Sequence, residues 1–167
     1  SCLVNPFACN ETEMVLKPAT VIKKIAVVGA GPAGLAAATT AARRGHQVTL
    51  FDAAEEIGGQ FNIAKRIPGK EEFYETIRYF AKEISLSGVT LRLGLRAGPK
   101  DLASFDEVIL ATGVMPRTPE IIGIEHPKVV GYLDVINGTQ VGKSVAVIGA
   151  GGIGFDVADF LTASHGA

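Results

Sequence analysis

The chain has 167 residues, a formal net charge of −1 and 47% apolar side chains. That is enough for one full domain whose core buries roughly 70% of the surface of the unfolded chain, and it excludes a disordered segment. There is no basic tract to attract nucleic acid, and no apolar run of about 18 residues to span a membrane.

Residues 1–20 are mixed and turn-rich and read as an arm. They open Ser1-Cys2-Leu3-Val4-Asn5-Pro6, with neither the basic nor the apolar region of a signal peptide. The missing initiator Met, and an end close behind a glycine motif, are expected of an excised piece of a longer protein. Cys2 and Cys9 are the two cysteines, and the plain reading is two reduced thiols of a cytoplasmic protein.

Residues 25–29 read as a buried strand, followed directly by Gly29-Ala30-Gly31-Pro32-Ala33-Gly34. A helix is expected over 32–44. Pro32 suits its first position, where an N–H would be orphaned anyway, and Gly45 suits its end. Residues 47–51 form the second strand, with Asp52 at its carboxyl end. Residues 52–69 are a long connection containing Gly58-Gly59 and Pro68-Gly69, a length usually functional in a compact domain. Over 70–87 the spacing of Phe73, Ile77, Phe80, Ala81 and Ile84 predicts a helix, stopped by Gly88. Residues 89–93 alternate as a strand, and 107–111 read as another buried strand. Thr112-Gly113 opens a Pro-rich stretch over 115–127, the best domain boundary. A short helix at 132–136, a last strand at 144–148 and a last helix at 153–164 complete the chain. Alternating strands and helices imply βαβ units. The expected fold is α/β: a Rossmann-like doubly wound parallel sheet in a three-layer α/β/α nucleotide-binding domain.

The two glycine motifs carry the chemistry. In the first, Gly29 permits the turn out of the strand, Gly31 lets backbone approach a pyrophosphate, and Gly34 lets the helix pack on the sheet. The pyrophosphate would then rest on helix N–H groups. Asp52, 18 residues past Gly34, stands where a carboxylate binds ribose hydroxyls, against the alternative of a solvated turn residue. An acid there repels a 2′-phosphate, which favours FAD, ADP or NAD over NADP. Gly59 would let the loop fold over a cofactor, and Gln60 offers an amide; a plain surface loop is the other reading. Arg66 and Lys70 could neutralise a diphosphate or simply be solvated. The second motif, Gly149-Ala150-Gly151-Gly152-Ile153-Gly154, also follows a β-type run. The chain ends 13 residues past Gly154, before the position that separates NAD from NADP. Asp156 is too early for that role and is expected to cap or face solvent. No nucleophile constellation, paired carboxylate or metal cluster is visible, so no catalytic residue is assigned.

Taken together, several runs of residues resemble the bacterial NADPH-dependent 2,4-dienoyl-CoA reductase family. They are Ser-Cys-Leu-Val-Asn-Pro, Val-Val-Gly-Ala-Gly-Pro-Ala-Gly-Leu, Gly-His-Gln-Val-Thr-Leu-Phe-Asp, Ile-Gly-Gly-Gln-Phe-Asn-Ile-Ala-Lys, Ile-Pro-Gly-Lys-Glu-Glu-Phe-Tyr-Glu-Thr, Leu-Ala-Thr-Gly-Val-Met-Pro-Arg and Ile-Gly-Ala-Gly-Gly-Ile-Gly-Phe-Asp. Members are iron–sulfur flavoproteins related to trimethylamine dehydrogenase. The resemblance covers essentially the whole chain. It implies a parent with an FMN barrel, a 4Fe-4S cluster, an FAD domain and an NADPH domain, of which this chain matches only the middle. Its expected partners are those other domains of the parent chain. The implied parts are an arm over 1–20, an FAD-binding domain over 21–120 and the start of the NAD(P)H domain over 121–167.

By the same resemblance, Ala33, Asp52, Gln60, Lys70 and Ala97 contact FAD, although 95–100 departs from the family wording around Ala97. The Ala111-Thr112-Gly113 turn resembles the family's crossover near the flavin. Cys2 corresponds to the last of four cluster ligands, and alone it cannot hold a cluster. The implied activity is a relay from NADPH through FAD, cluster and FMN to an unsaturated acyl-CoA in fatty acid β-oxidation, with this piece inactive alone. Two other readings remain. One is an ADP-binding module, as in trimethylamine dehydrogenase. The other is an electron-input subunit like that of glutamate synthase, whose cysteine-rich segment is not visible.

Overall fold

The structure is a computed structural model that describes residue 5 and residues 7–163. The Cys2 assignment and the end of the last helix at Ser164 lie outside the described residues. The chain divides into two compact units. One comprises residues up to Gly59 together with Glu75–Gly113, the other Gln60–Tyr74 together with the residues from Val114 onward.

The first unit is built on a four-stranded parallel sheet in the order β3-β2-β1-β4. The strands are β1 (Lys24–Val28), β2 (Gln47–Phe51), β3 (Thr90–Arg92) and β4 (Glu107–Leu110). The register sets Val28 beside Phe51 on one side and beside Leu110 on the other. Parallel neighbours need crossovers, and α1 (Pro32–Arg43) supplies the first. It starts with Pro32 at its first position and ends before Gly45 at φ +96°, a conformation that favours glycine. This is the Rossmann-like α/β arrangement the alternation of elements predicts.

Strand side chains alternate between faces. On one face Ile25, Val27, Val48 and Leu50 pack under Leu35 and Ala38 of α1 and Ile84 of α3 (Glu72–Ser87). Leu35, Leu50 and Val27 are the largest fully buried side chains, each worth about 1.5–3 kcal/mol of transfer free energy. On the other face Phe51 meets Phe105 edge-on at 5.9 Å between ring centroids. Phe105 follows the short helix α4 (Pro99–Leu102). A second short helix, α2 (Phe61–Ala64), lies in the long connection after β2. Neither short helix has a periodic pattern long enough to be read from sequence.

Two expectations need correction. Residues 107–111 read as a buried strand, yet every residue of β4 is exposed, Leu110 at 73%. Among the described residues its one neighbour is β1, so an apolar Val-Ile-Leu run stands at an edge. Residues 144–148 form no paired strand among the described residues, because a strand exists only through a neighbour's hydrogen bonds. Ile148 is 77% exposed. In α3, Ala81 is exposed and Thr76 is buried. Ala81 lies round the edge of the face that Phe80 and Ile84 define.

The second unit contains α5 (Tyr132–Ile136) and α6 (Gly152–Ala163). Its core joins Val135 and Ile136 of α5 and Val157 of α6 to Ile67, with Ile63 against them. Residues 60–74 therefore belong to the core of the second unit.

Leu50→Ala is expected to lower stability by about 2–5 kcal/mol, because a cavity in the fully buried centre adds to the lost transfer energy. Denaturant unfolding of the two proteins checks this; a loss below about 1 kcal/mol would contradict that placement.

Candidate dinucleotide site

In the strand order β3-β2-β1-β4 the chain winds outward from β1 to β3 and then returns to the other side of β1. Ligands of open α/β sheets bind at the carboxyl ends of the strands at this reversal. Here those ends are Gly29 after β1 and Ala111 after β4.

The turn after β1 leaves no space for side chains. Gly29 has φ +109°, and a Cβ there would collide with Ala111 O. A Cβ on Gly34 would collide with Gly29 O. Only glycine at both positions lets α1 begin against the end of β1. Gly31 caps α1 without a side-chain hydrogen bond, and no acidic residue stands in the first turn. The amides of Ala33 and Gly34 are first-turn donors that a helix leaves unpaired, and Pro32 has none to lose. Such a turn accepts an anion.

Asp52 fixes the turn from the side. Its Oδ2 accepts the amide of Ala30 at 2.5 Å, and its Oδ1 accepts the amide of Ala54 at 2.8 Å. A carboxylate oxygen has two lone pairs, so each keeps one for a further donor. The amide of Leu95 donates to Asp52 O at 2.9 Å, which lays the stretch leading to Ala97 beside the acid.

The loop glycines close on the turn itself. The amide of Gly58 donates to Ala30 O at 2.8 Å. Gly59 has φ +52°, and a Cβ there would lie 2.9 Å from Gly31 Cα. Ala111 donates to Val28 O at 2.8 Å, which seats Ala111 and Thr112 against Gly29, and Gly113 has φ +74°. The first unit thus brings together Gly29, Gly31, Pro32, Ala33, Gly34, Asp52, Gly59, Ala111 and Thr112. The amides of Ala30, Ala54 and Gly58 complete the arrangement. Sequence reasoning could not find them, since a backbone donor has no residue-type signature.

Gln60, Arg66 and Lys70 lie in the second unit. Gln60 Nε2 donates to Val114 O at 2.9 Å, and Arg66 donates to Asn137 Oδ1 at 3.0 Å. Lys70 Nζ stands 2.6 Å from both oxygens of Asp156, which pairs that acid rather than leaving it to solvent. The second glycine turn repeats the first locally. Gly149 has φ +117°, and a Cβ on Gly154 would collide with Gly149 O. Gly151, Gly152 and Ile153 lie between them at the start of α6.

The clearly shifted titratable groups stand in surface ion pairs. Hydrogen bonding to Glu107 raises Lys23, bonding to Tyr79 raises Arg43, and the Glu75–Arg78 pair lowers the acid and raises the base. Among the described residues no group of three or more His, Cys, Asp or Glu could hold a metal ion, and no helix is long and apolar enough to cross a membrane.

A glycine turn at the sheet's reversal, a helix start with free amides and a carboxylate braced on that turn are the features of a dinucleotide-binding α/β domain. Comparison with known proteins gives the family. Residues 23–167 match the Pyridine nucleotide-disulphide oxidoreductase family, and the chain belongs to it as an FAD/NAD(P)-binding domain. It is 41% identical to NADH oxidase of Thermoanaerobacter brockii, over 96% of this chain and 26% of that protein. It is 36% identical to metal reductase of Desulforamulus reducens, over 98% of this chain and 26% of that protein. Among solved structures, a 2-naphthoyl-CoA reductase complex superposes with a TM-score of 0.92 at 34% identity, covering 98% of this chain and 26% of that one. The chain spans about a quarter of the length of these relatives.

Asp52→Ala removes the acceptor of two backbone amides, one of them the buried Ala30. We expect a stability loss of about 1–3 kcal/mol and a weaker hold on adenosine-containing nucleotides. Isothermal titration with FAD and ADP, alongside thermal unfolding, checks both; unchanged affinity would remove Asp52 from the site.

Proposed function

We propose that this chain is the FAD-binding electron-transfer module of an NADPH-dependent 2,4-dienoyl-CoA reductase. In that reading residues 21–120 are the FAD domain and 121–167 the start of the NADPH domain. The observation that supports it most is the Gly29–Gly34 turn at the sheet reversal, held by the Asp52 carboxylate on Ala30 N. Gly29, Gly31, Ala33 and Gly34 would hold the FAD diphosphate, Asp52 the adenosine ribose and Ala97 the adenine end. Ala111, Thr112 and Gly113 would lie along the flavin, and Gly149–Gly154 would take NADPH.

Bound there, FAD supplies acceptance of a hydride and release of single electrons. What the chain's own residues do is bind and orient: amides meet the diphosphate, and the acid fixes the ribose. Two cysteines cannot supply the four thiolates of a 4Fe-4S cluster, so no step in this chain is assigned to one. In the whole protein, electrons would run from NADPH through FAD, a 4Fe-4S cluster and FMN to an unsaturated acyl-CoA of β-oxidation. The 2-naphthoyl-CoA reductase likeness is in keeping with a CoA thioester substrate. The module itself would be cytoplasmic and inactive toward the thioester.

The test is the nucleotide that the purified chain carries or accepts. Flavin absorbance, with FAD released on denaturation, is the expected result. Release of ADP without flavin would favour a non-redox ADP module, and failure to bind either at saturating concentration would contradict the assignment.

A further inference from the structure

This inference concerns the second unit and rests on the reading that Gly149–Gly154 receives a pyridine dinucleotide. A dinucleotide on that turn brings two phosphate charges to the start of α6. Asp156 lies on the same helix, in its second turn, and its carboxylate opposes those charges. The structure places the Lys70 ammonium on that carboxylate, 2.6 Å from each oxygen. Ile67, three residues before Lys70, is buried in one cluster with Val157, the residue after Asp156. The apolar cluster thus fixes where the lysine side chain starts, and the carboxylate fixes where it ends.

Lys70 is 38% exposed and Asp156 24%. A pair this open contributes little to stability. Its consequence is electrostatic: it cancels a negative charge beside a turn built for an anion. We propose that Lys70 neutralises Asp156 so that the second glycine turn can accept the pyrophosphate of a pyridine dinucleotide. Lys70 is then a positioning and charge-balancing residue of the pyridine nucleotide site.

The experiment measures dissociation constants for NADPH and NADH, and flavin content, in the complete protein carrying this chain. Lys70→Met should weaken both nucleotides about two- to fivefold, the effect of one uncompensated charge near a helix start. Asp156→Asn should not weaken either. The double variant should return to the original affinity, because the opposing charge has gone with its partner. Lys70→Arg, which keeps the charge, should bind like the unsubstituted protein even if the methionine variant folds poorly. A double variant as weak as Lys70→Met, or a Lys70→Met protein with unchanged affinity, would overturn the proposal. So would loss of flavin in Lys70→Met that Asp156→Asn does not reverse. If the unsubstituted protein binds neither NADPH nor NADH, the reading of the second turn fails, and this inference fails with it.

Discussion

The amide of Ala30 is fully buried, and it donates to a carboxylate at the end of the neighbouring strand. That hydrogen bond depends on β1 and β2 being parallel and in register, Val28 beside Phe51. It also depends on a turn with no side chain at Gly29 or Gly34. A one-residue slip of β2 would put Asp52 on the wrong side of the sheet. Sheet register, glycine turn and the Asp52 carboxylate are therefore one constraint seen from three sides. The core under α1 supports it, since Val27, Leu35 and Leu50 are fully buried in one cluster with Ala30.

The first glycine turn was fully legible in the sequence, and the reason is local. A strand, a turn needing glycine and a helix beginning with Pro32 are properties of consecutive residues. Asp52 was legible because the strand and helix lengths between it and Gly34 are nearly fixed by the fold. The short helices α2 and α4 were not, since four residues carry no period. The partners of Gln60 and Lys70 were not either. Val114 and Asp156 are distant in sequence, and hydrogen-bond partners at such separations leave no pattern to read. Residues 107–111 show a different limit. Composition reports that Val108, Ile109 and Leu110 suit a buried strand, but burial needs a neighbour on the other side.

The second glycine motif separates what a turn needs from what a sheet needs. Gly149 and Gly154 make the same close backbone approach as Gly29 and Gly34, yet residues 144–148 have no ladder among the described residues. The turn is encoded by its own glycines and the helix that follows. The sheet is encoded by strands that must come from elsewhere in a chain.

The membership of residues 60–74 in the second unit bears on how the molecule forms. Ile67 precedes its buried neighbours Val135, Ile136 and Val157 in the chain by more than sixty residues. Without those neighbours Ile67 and Ile63 lack the partners that bury them, whereas β1, β2, β3 and β4 all precede α5 in the chain. Contacts between residues so far apart in the chain form slowly, because the loop between them must be closed before they gain anything. Ile63 and Ile67 therefore gain their burial only once the chain has closed the loop to α5 and α6.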